Sequence, residues 1–290
     1  DGKVFYALAH SEWYACLQYG DDPVKGCSVG NNQMNSWVNA ITMFRSDDGG
    51  ASWSPLGGNN ASHVALAPSM QYPADWEYWT QSFKIHNYGF FHPSNIVQEG
   101  SYYYAVVLYI HRTAAGSVDT AGAILVRTSS LASKQGWTVW DGTAYTPITG
   151  SWDQKLPVLA GPSIVEAQMT TISWSASVCQ YIILFGSSGL QFATTASLAS
   201  PQFSALRTVA GGGAYKSANY PILQDDTSPG FNFDTLGSDS AYLYTVRQNG
   251  GLDRDVVKQQ VTLSGSGPSP GPGPTPGPTP GPSSVHVIYR

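Results

Sequence analysis

Apolar residues come along this chain in short runs separated by turn-forming residues, with no stretch that keeps the 3.6-residue period of an amphipathic helix. Residues 102–109, 181–185, 242–246 and 256–263 read as strands. Three segments repeat one plan, in which a strand enters a Ser/Thr-rich turn and emerges at an aromatic residue. The clearest runs from Ile41 through Ser46-Asp47-Asp48-Gly49-Gly50-Ala51-Ser52 to Trp53; the others run from Ile124 through Thr128-Ser129-Ser130 to Trp137, and from Leu190 through Thr194-Thr195 and Leu198 to Phe203. Other segments also rhyme. His92-Pro93-Ser94-Asn95-Ile96-Val97, Ala160-Gly161-Pro162-Ser163-Ile164-Val165 and Asn219-Tyr220-Pro221-Ile222-Leu223 each place a proline where a strand is expected to start, because proline cannot donate to a ladder. The pattern predicts an all-β fold, a β-propeller of about four to six four-stranded blades. Residues 1–264 form that domain, 265–282 a Pro/Gly-rich polyproline II linker, and 283–290 a terminal strand segment beyond this extended C-terminal tail.

Composition supports the pattern. Charged residues make up 11% of the chain, and the four glutamates (Glu12, Glu77, Glu99, Glu166) cannot furnish the outer faces of several helices. A net charge of -5 without a Lys/Arg cluster argues against a nucleic-acid partner, and no apolar run is long enough to span a bilayer. Cys16 and Cys27 bracket a polar loop, which suits a disulfide in an oxidising compartment and hence a secreted, extracellular protein. Cys179, the third cysteine, is expected to be a buried, inert thiol. Asn60-Ala61-Ser62 is an N-glycosylation sequon, and Thr275 and Thr279 in the linker are candidate O-glycosylation positions.

Ser46-Asp47-Asp48-Gly49-Gly50-Ala51-Ser52-Trp53 resembles the Asp-box of sialidases and other secreted propellers. In such a turn Asp48 bonds amides, Gly50 supplies a positive φ and Trp53 packs against strands, so the motif staples a hairpin and does no chemistry. More widely, the chain is similar to uncharacterised secreted propellers related in appearance to sialidases and furanosidase-type glycoside hydrolases. That likeness rests on Ala9-His10-Ser11-Glu12-Trp13, on Asn39-Ala40-Ile41-Thr42, on residues 92–97 with Tyr102-Tyr103-Tyr104, on residues 137–142 and on Leu252-Asp253-Arg254-Asp255. Relatives of this kind carry a further N-terminal blade, from which Val285-His286-Val287-Ile288 resembles a strand.

Glycoside hydrolysis needs two carboxyl groups facing each other across the scissile bond. Glu12, Glu166 and Asp226 are the catalytic candidates, yet they form no diagnostic pair, and the arginines do not follow the sialidase pattern. His10, His92, Asn95, Trp76 and Trp79 are the binding candidates, the tryptophans as platforms for sugar rings. The histidines lack metal-ligand spacing, and neither a metal nor any other cofactor is expected. These features favour a glycosylated extracellular assembly subunit over an enzyme. It would polymerise head to tail into a homo-oligomer or filament through its stiff tail and a strand in which Val285, Val287, Ile288 and Tyr289 make the contacts. The alternative is a carbohydrate-active protein, either a glycoside hydrolase of the sialidase or furanosidase type or a sugar-binding propeller.

Overall fold

A computed structural model describes residues 4–14, 36–57, 63–67, 85–112, 117–149, 154–159, 169–186, 189–209, 219–226, 235–250 and 253–264. These residues contain no α-helix. In chain order the strands are β1 (Phe5–Tyr14), β2 (Ser36–Ser46), β3 (Ser54–Pro55), β4 (Val64–Leu66), β5 (Ile85–Phe91), β6 (Val97–Glu99), β7 (Tyr102–Arg112), β8 (Val118–Thr128) and β9 (Thr138–Trp140). Then follow β10 (Tyr145–Pro147), β11 (Met169–Ser175), β12 (Gln180–Gly186), β13 (Leu190–Thr195), β14 (Arg207–Thr208), β15 (Asn219–Gln224), β16 (Thr235–Leu236), β17 (Ser240–Gly250) and β18 (Asp253–Thr262).

Antiparallel meanders dominate: β6-β7-β8-β9, β11-β12-β13-β14 and β15-β17-β18 each run between neighbours. Two parallel pairings, which the local strand pattern does not reveal, interrupt this plan. β2 pairs β5 through Val38 opposite Tyr88 and Asn39 opposite Gly89, which merges β1 through β10 into one sheet. The other joins β16 to β11.

Period-two alternation decides how the meanders stack. Along β12, Tyr181, Ile183 and Phe185 pack with Val97, Tyr104, Val106 and Leu125 of the first sheet, while Ile182 and Leu184 pack with Leu223, Ala241 and Leu243 of the third. β7 is divided in the same way, because Ala105, Val107 and Tyr109 join Leu8, Ile41 and Met43 whereas Tyr104 and Val106 turn to the second sheet. The meanders therefore stack face to face in series, each sharing a core with the one before and the one after.

Several expectations change. The strand expected over 91–97 is split: β5 ends at Phe91, residues 92–96 leave the ladder, and β6 begins at Val97. Ser94 bridges the break, its N–H donating to Val106 O at 2.8 Å and its Oγ accepting from Val106 N at 2.9 Å. Pro221 lies inside β15, not at its start, within a register shift where Tyr220 takes φ +54°; a bulge removes the need for the missing N–H. Residues 160–168 lie outside the described residues. Cys179 is not a buried thiol. It is half-buried at the tip of the β11–β12 hairpin with φ +52°, because the tight turn needs one left-handed residue there.

The segment resembling an Asp-box folds as a closed turn. Asp48 Oδ1 accepts from Ser52 N at 2.9 Å and from Ser46 Oγ at 2.7 Å, and Asp48 Oδ2 accepts from Ser52 Oγ at 2.6 Å. Those donors hold the Asp48 carboxyl down to about 2. Gly50 has φ +93° and Trp53 Nε1 donates to Gly50 O at 3.0 Å.

Candidate functional site

Two adjacent strands and the break after β5 gather polar side chains at one place. Alternation puts His10 and Glu12 on one face of β1, and the antiparallel register sets Asn39 of β2 opposite Glu12. The parallel pairing sets the same Asn39 opposite Gly89, where φ +110° lets β5 pass. His92 then leaves the end of β5 with φ +41° and turns its ring to 4.9 Å from that of His10, edge to face. Phe91 lies 5.5 Å from His10 on the same side.

A hydrogen bond joins His10 Nε2 to Asn39 Oδ1. Burial, opposed by Asn39 and Glu12, keeps the pKa of His10 below its ordinary 6.5. Burial, reinforced by His10, pushes that of His92 down to about 3. Both rings are therefore neutral at physiological pH. With Nε2 donating to Asn39, a neutral His10 carries a bare acceptor at Nδ1, and this atom lies 3.8 Å from Glu12 Oε1, a second acceptor. Asn39 is fully buried, and its Nδ2 has no acceptor among the described residues. The cluster thus brings His10 Nδ1 and Glu12 Oε1 together beside a buried amide donor that has no acceptor among the described residues. The Glu12 side chain is 38% exposed and that of His10 is 11% exposed.

Of the sequence candidates, His10, Glu12 and His92 meet here. Asn95 does not join them. Its Nδ2 donates to Ile172 O at 2.8 Å, while its Oδ1 accepts from Ile172 N and Thr171 Oγ1, both at 2.9 Å, so the amide stands in for a peptide group on β11. Asp226 is exposed at the β15 end and accepts from Lys258 Nζ at 2.5 Å and Tyr244 OH at 3.3 Å. Trp140 is buried against Tyr145, ring centroids 5.2 Å apart, and serves the core. Glu166, Trp76, Trp79, Cys16, Cys27, Asn60, Thr275, Thr279, Val285, Val287, Ile288 and Tyr289 lie outside the described residues.

Three polar arrangements escape sequence reasoning. Asn39 gives no signal beyond an Asn inside a strand. Glu99 caps the turn at 197–199, accepting from Leu198 N at 2.6 Å, Ala199 N at 3.0 Å and Ser197 Oγ at 2.8 Å. Asp119 binds both His111 Nδ1 at 2.6 Å and Lys155 Nζ at 2.7 Å; burial raises its pKa, and these two partners together lower it further than burial lifts it. Among the described residues, no three His, Cys, Asp or Glu side chains converge as metal ligands would, and no helix is long and apolar enough to cross a membrane.

No family model matches the chain, and no curated protein matches it. Among solved structures, a family 117 glycoside hydrolase of the marine bacterium Zobellia galactanivorans is 11% identical, with a TM-score of 0.44 over 91% of this chain and 70% of that one. The α-L-arabinanase of Cellvibrio cellulosa is 13% identical, with a TM-score of 0.42 over 80% and 69%. The catalytic domain of the Coprinopsis cinerea GH62 α-L-arabinofuranosidase is 10% identical, with a TM-score of 0.37 over 60% of this chain and 46% of that one, so the chain spans less than half the length of this neighbour.

Proposed function

We propose that the chain is a carbohydrate-directed β-propeller whose ligand site is the cluster of His10, Glu12, Asn39 and His92. The observation that carries the reading is the convergence of polar groups, with His10 Nδ1 3.8 Å from Glu12 Oε1 and the buried Asn39 Nδ2 without an acceptor among the described residues. A sugar hydroxyl can donate to either acceptor while accepting a further bond itself. Neutral histidines suit an uncharged polyol better than an anion, since no fixed cation stands in the cluster. Serial stacking of β meanders supports the propeller.

Binding is the reading that the described residues support directly, and hydrolysis at the same site is the second reading. A glycoside hydrolase would set a second carboxyl across from Glu12, and among the described residues none stands there: Glu99 is committed to the 197–199 turn and Asp226 to Lys258. The test is a panel of neutral oligosaccharides, arabinose-containing ones included, read by calorimetry for binding and by product analysis for cleavage. Specific binding lost in Glu12→Gln and His10→Ala supports the reading. Turnover abolished by Glu12→Gln would make the same site a hydrolase. No binding anywhere on the panel would remove the proposal. The assembly reading has its own observation, a strand edge that pairs with no strand among the described residues.

A further inference from the structure

Three strands of this chain end alike. At the end of β2, Ser46 Oγ accepts from Gly50 N at 2.8 Å; at the end of β8, Thr128 Oγ1 accepts from Ser130 N at 3.3 Å; at the end of β13, Thr195 Oγ1 accepts from Gln202 N at 3.0 Å. These strands therefore hold equivalent places in their meanders. β8 and β13 are third strands, preceded by β7 and β12, and before those stand the first strands β6 and β11. By the same count β2 is a third strand and β1 a second one. Among the described residues, its meander has no first strand, and β1 ends the order of its sheet.

β1 is built like an inner strand. Its consecutive residues Ala7 and Leu8 are 1% and 0% exposed, so both faces are covered, whereas a sheet's terminal strand is normally solvated on one. Nor does residues 6–10, Tyr-Ala-Leu-Ala-His, hold the lysine or proline by which natural edges repel other strands. The other long terminal strand shows the contrast. β18 is largely exposed and carries Asp253, Arg254, Asp255 and Lys258, which blunt its edge.

We propose that the outer edge of β1, which pairs with no strand among the described residues, is an acceptor for residues 285–289 of a second copy of this chain, which enter antiparallel as the first strand of that meander. The direction follows from β6·β7, β11·β12 and β15·β17, where the first strand is antiparallel to the second. The occupant follows from the sequence: Val285-His286-Val287-Ile288-Tyr289 is a β-branched run with neither proline nor charge, placed beyond the Pro/Gly-rich residues 265–282. In polyproline II that linker reaches roughly 50 Å at about 3.1 Å per residue and is stiff, which suits a spacer between molecules better than a return onto the same one. Each copy then both gives and receives a strand, so contacts repeat head to tail into an open chain unless the rotation closes a ring. This inference does not rest on the ligand reading, since it uses the backbone of β1 and not the side chains of His10 and Glu12.

The test uses the full chain, by light scattering over a concentration series and by negative-stain electron microscopy. Assemblies whose mass grows with concentration are expected. Val287→Pro, which removes a ladder N–H outside the globular part, should leave circular dichroism unchanged and the protein monomeric. A synthetic peptide of residues 283–290 added to the full chain should shorten the assemblies by capping β1. A Val287→Pro protein that assembles as the full chain does would overturn the proposal. So would a full chain that stays monomeric while the peptide binds only the chain cut before residue 283, since that result means the strand closes onto its own molecule.

Discussion

Replacing Asn95 by Ala should be strongly destabilising. Ala removes the donor to Ile172 O and the acceptor for Ile172 N, and Ile172 is 0% exposed, so water cannot take the place of either group. Each buried backbone group left without a partner costs about 1–3 kcal/mol. Two such groups, with some relaxation of β11, give a loss of roughly 2–5 kcal/mol, a large share of the 5–15 kcal/mol typical of a folded domain. Urea unfolding followed by tryptophan fluorescence measures it, and the midpoint should fall while the slope holds. Asn95→Asp should lie between, because its carboxylate still accepts from Ile172 N and Thr171 Oγ1 but cannot donate to Ile172 O; protonating it at low pH restores a donor, so the deficit should shrink as pH falls. A loss below about 1 kcal/mol in Asn95→Ala would show that the amide merely occupies space between the sheets.

The pKa of His92 is near 3 in the fold against an ordinary 6.5, so a proton binds the unfolded chain first: the stability due to neutral His92 is complete above pH 6.5 and is lost as pH falls toward 3. Urea midpoints taken from pH 7 to pH 4 should drop, and His92→Gln should flatten the slope. At Gly50 an added Cβ would stand 3.3 Å from the Phe5 ring with φ at +93°, so Gly50→Ala should cost about 1–3 kcal/mol, checked by thermal unfolding. Cys179, half-buried on a hairpin tip, should react with a maleimide in the native protein, and Cys179→Gly should be neutral or stabilising by up to about 1 kcal/mol because it releases a left-handed backbone. Ile183→Ala removes a side chain at 0% exposure between two sheets and should cost about 2–5 kcal/mol by the same unfolding assay.

What the sequence shows and what it hides divide along the range of the interaction. The expected strands over 102–109, 181–185 and 242–246 fall within β7, β12 and β17, and the one over 256–263 overlaps β18 up to Thr262, because alternation and flanking turns are local. His10 and Glu12 are legible as a pair two residues apart. Asn39 is not, since its importance comes from standing opposite Glu12 on one side and Gly89 on the other, and the second contact needs a parallel pairing between strands far apart in the chain. Asn95 looks like a site residue because it is polar, next to a proline-containing break and near His92; that its amide is consumed by β11 depends on where a sheet from much later in the chain packs. Cys179 misleads for the opposite reason. The apolar run after it suggests burial, but the hairpin tip it occupies is set by the lengths of β11 and β12.

The break between β5 and β6 has a mechanical meaning. Within residues 92–96, Ser94 bonds to Val106 of β7; His92 at one end faces the polar cluster, and Asn95, three residues on, grips β11. The segment is a five-residue tie between two sheets: its first residue stands in the polar cluster of the first, its fourth grips the second, and Ile96 at its end is packed in the core. The placing of the His92 ring and the anchorage on β11 are therefore fixed by the same short length of backbone.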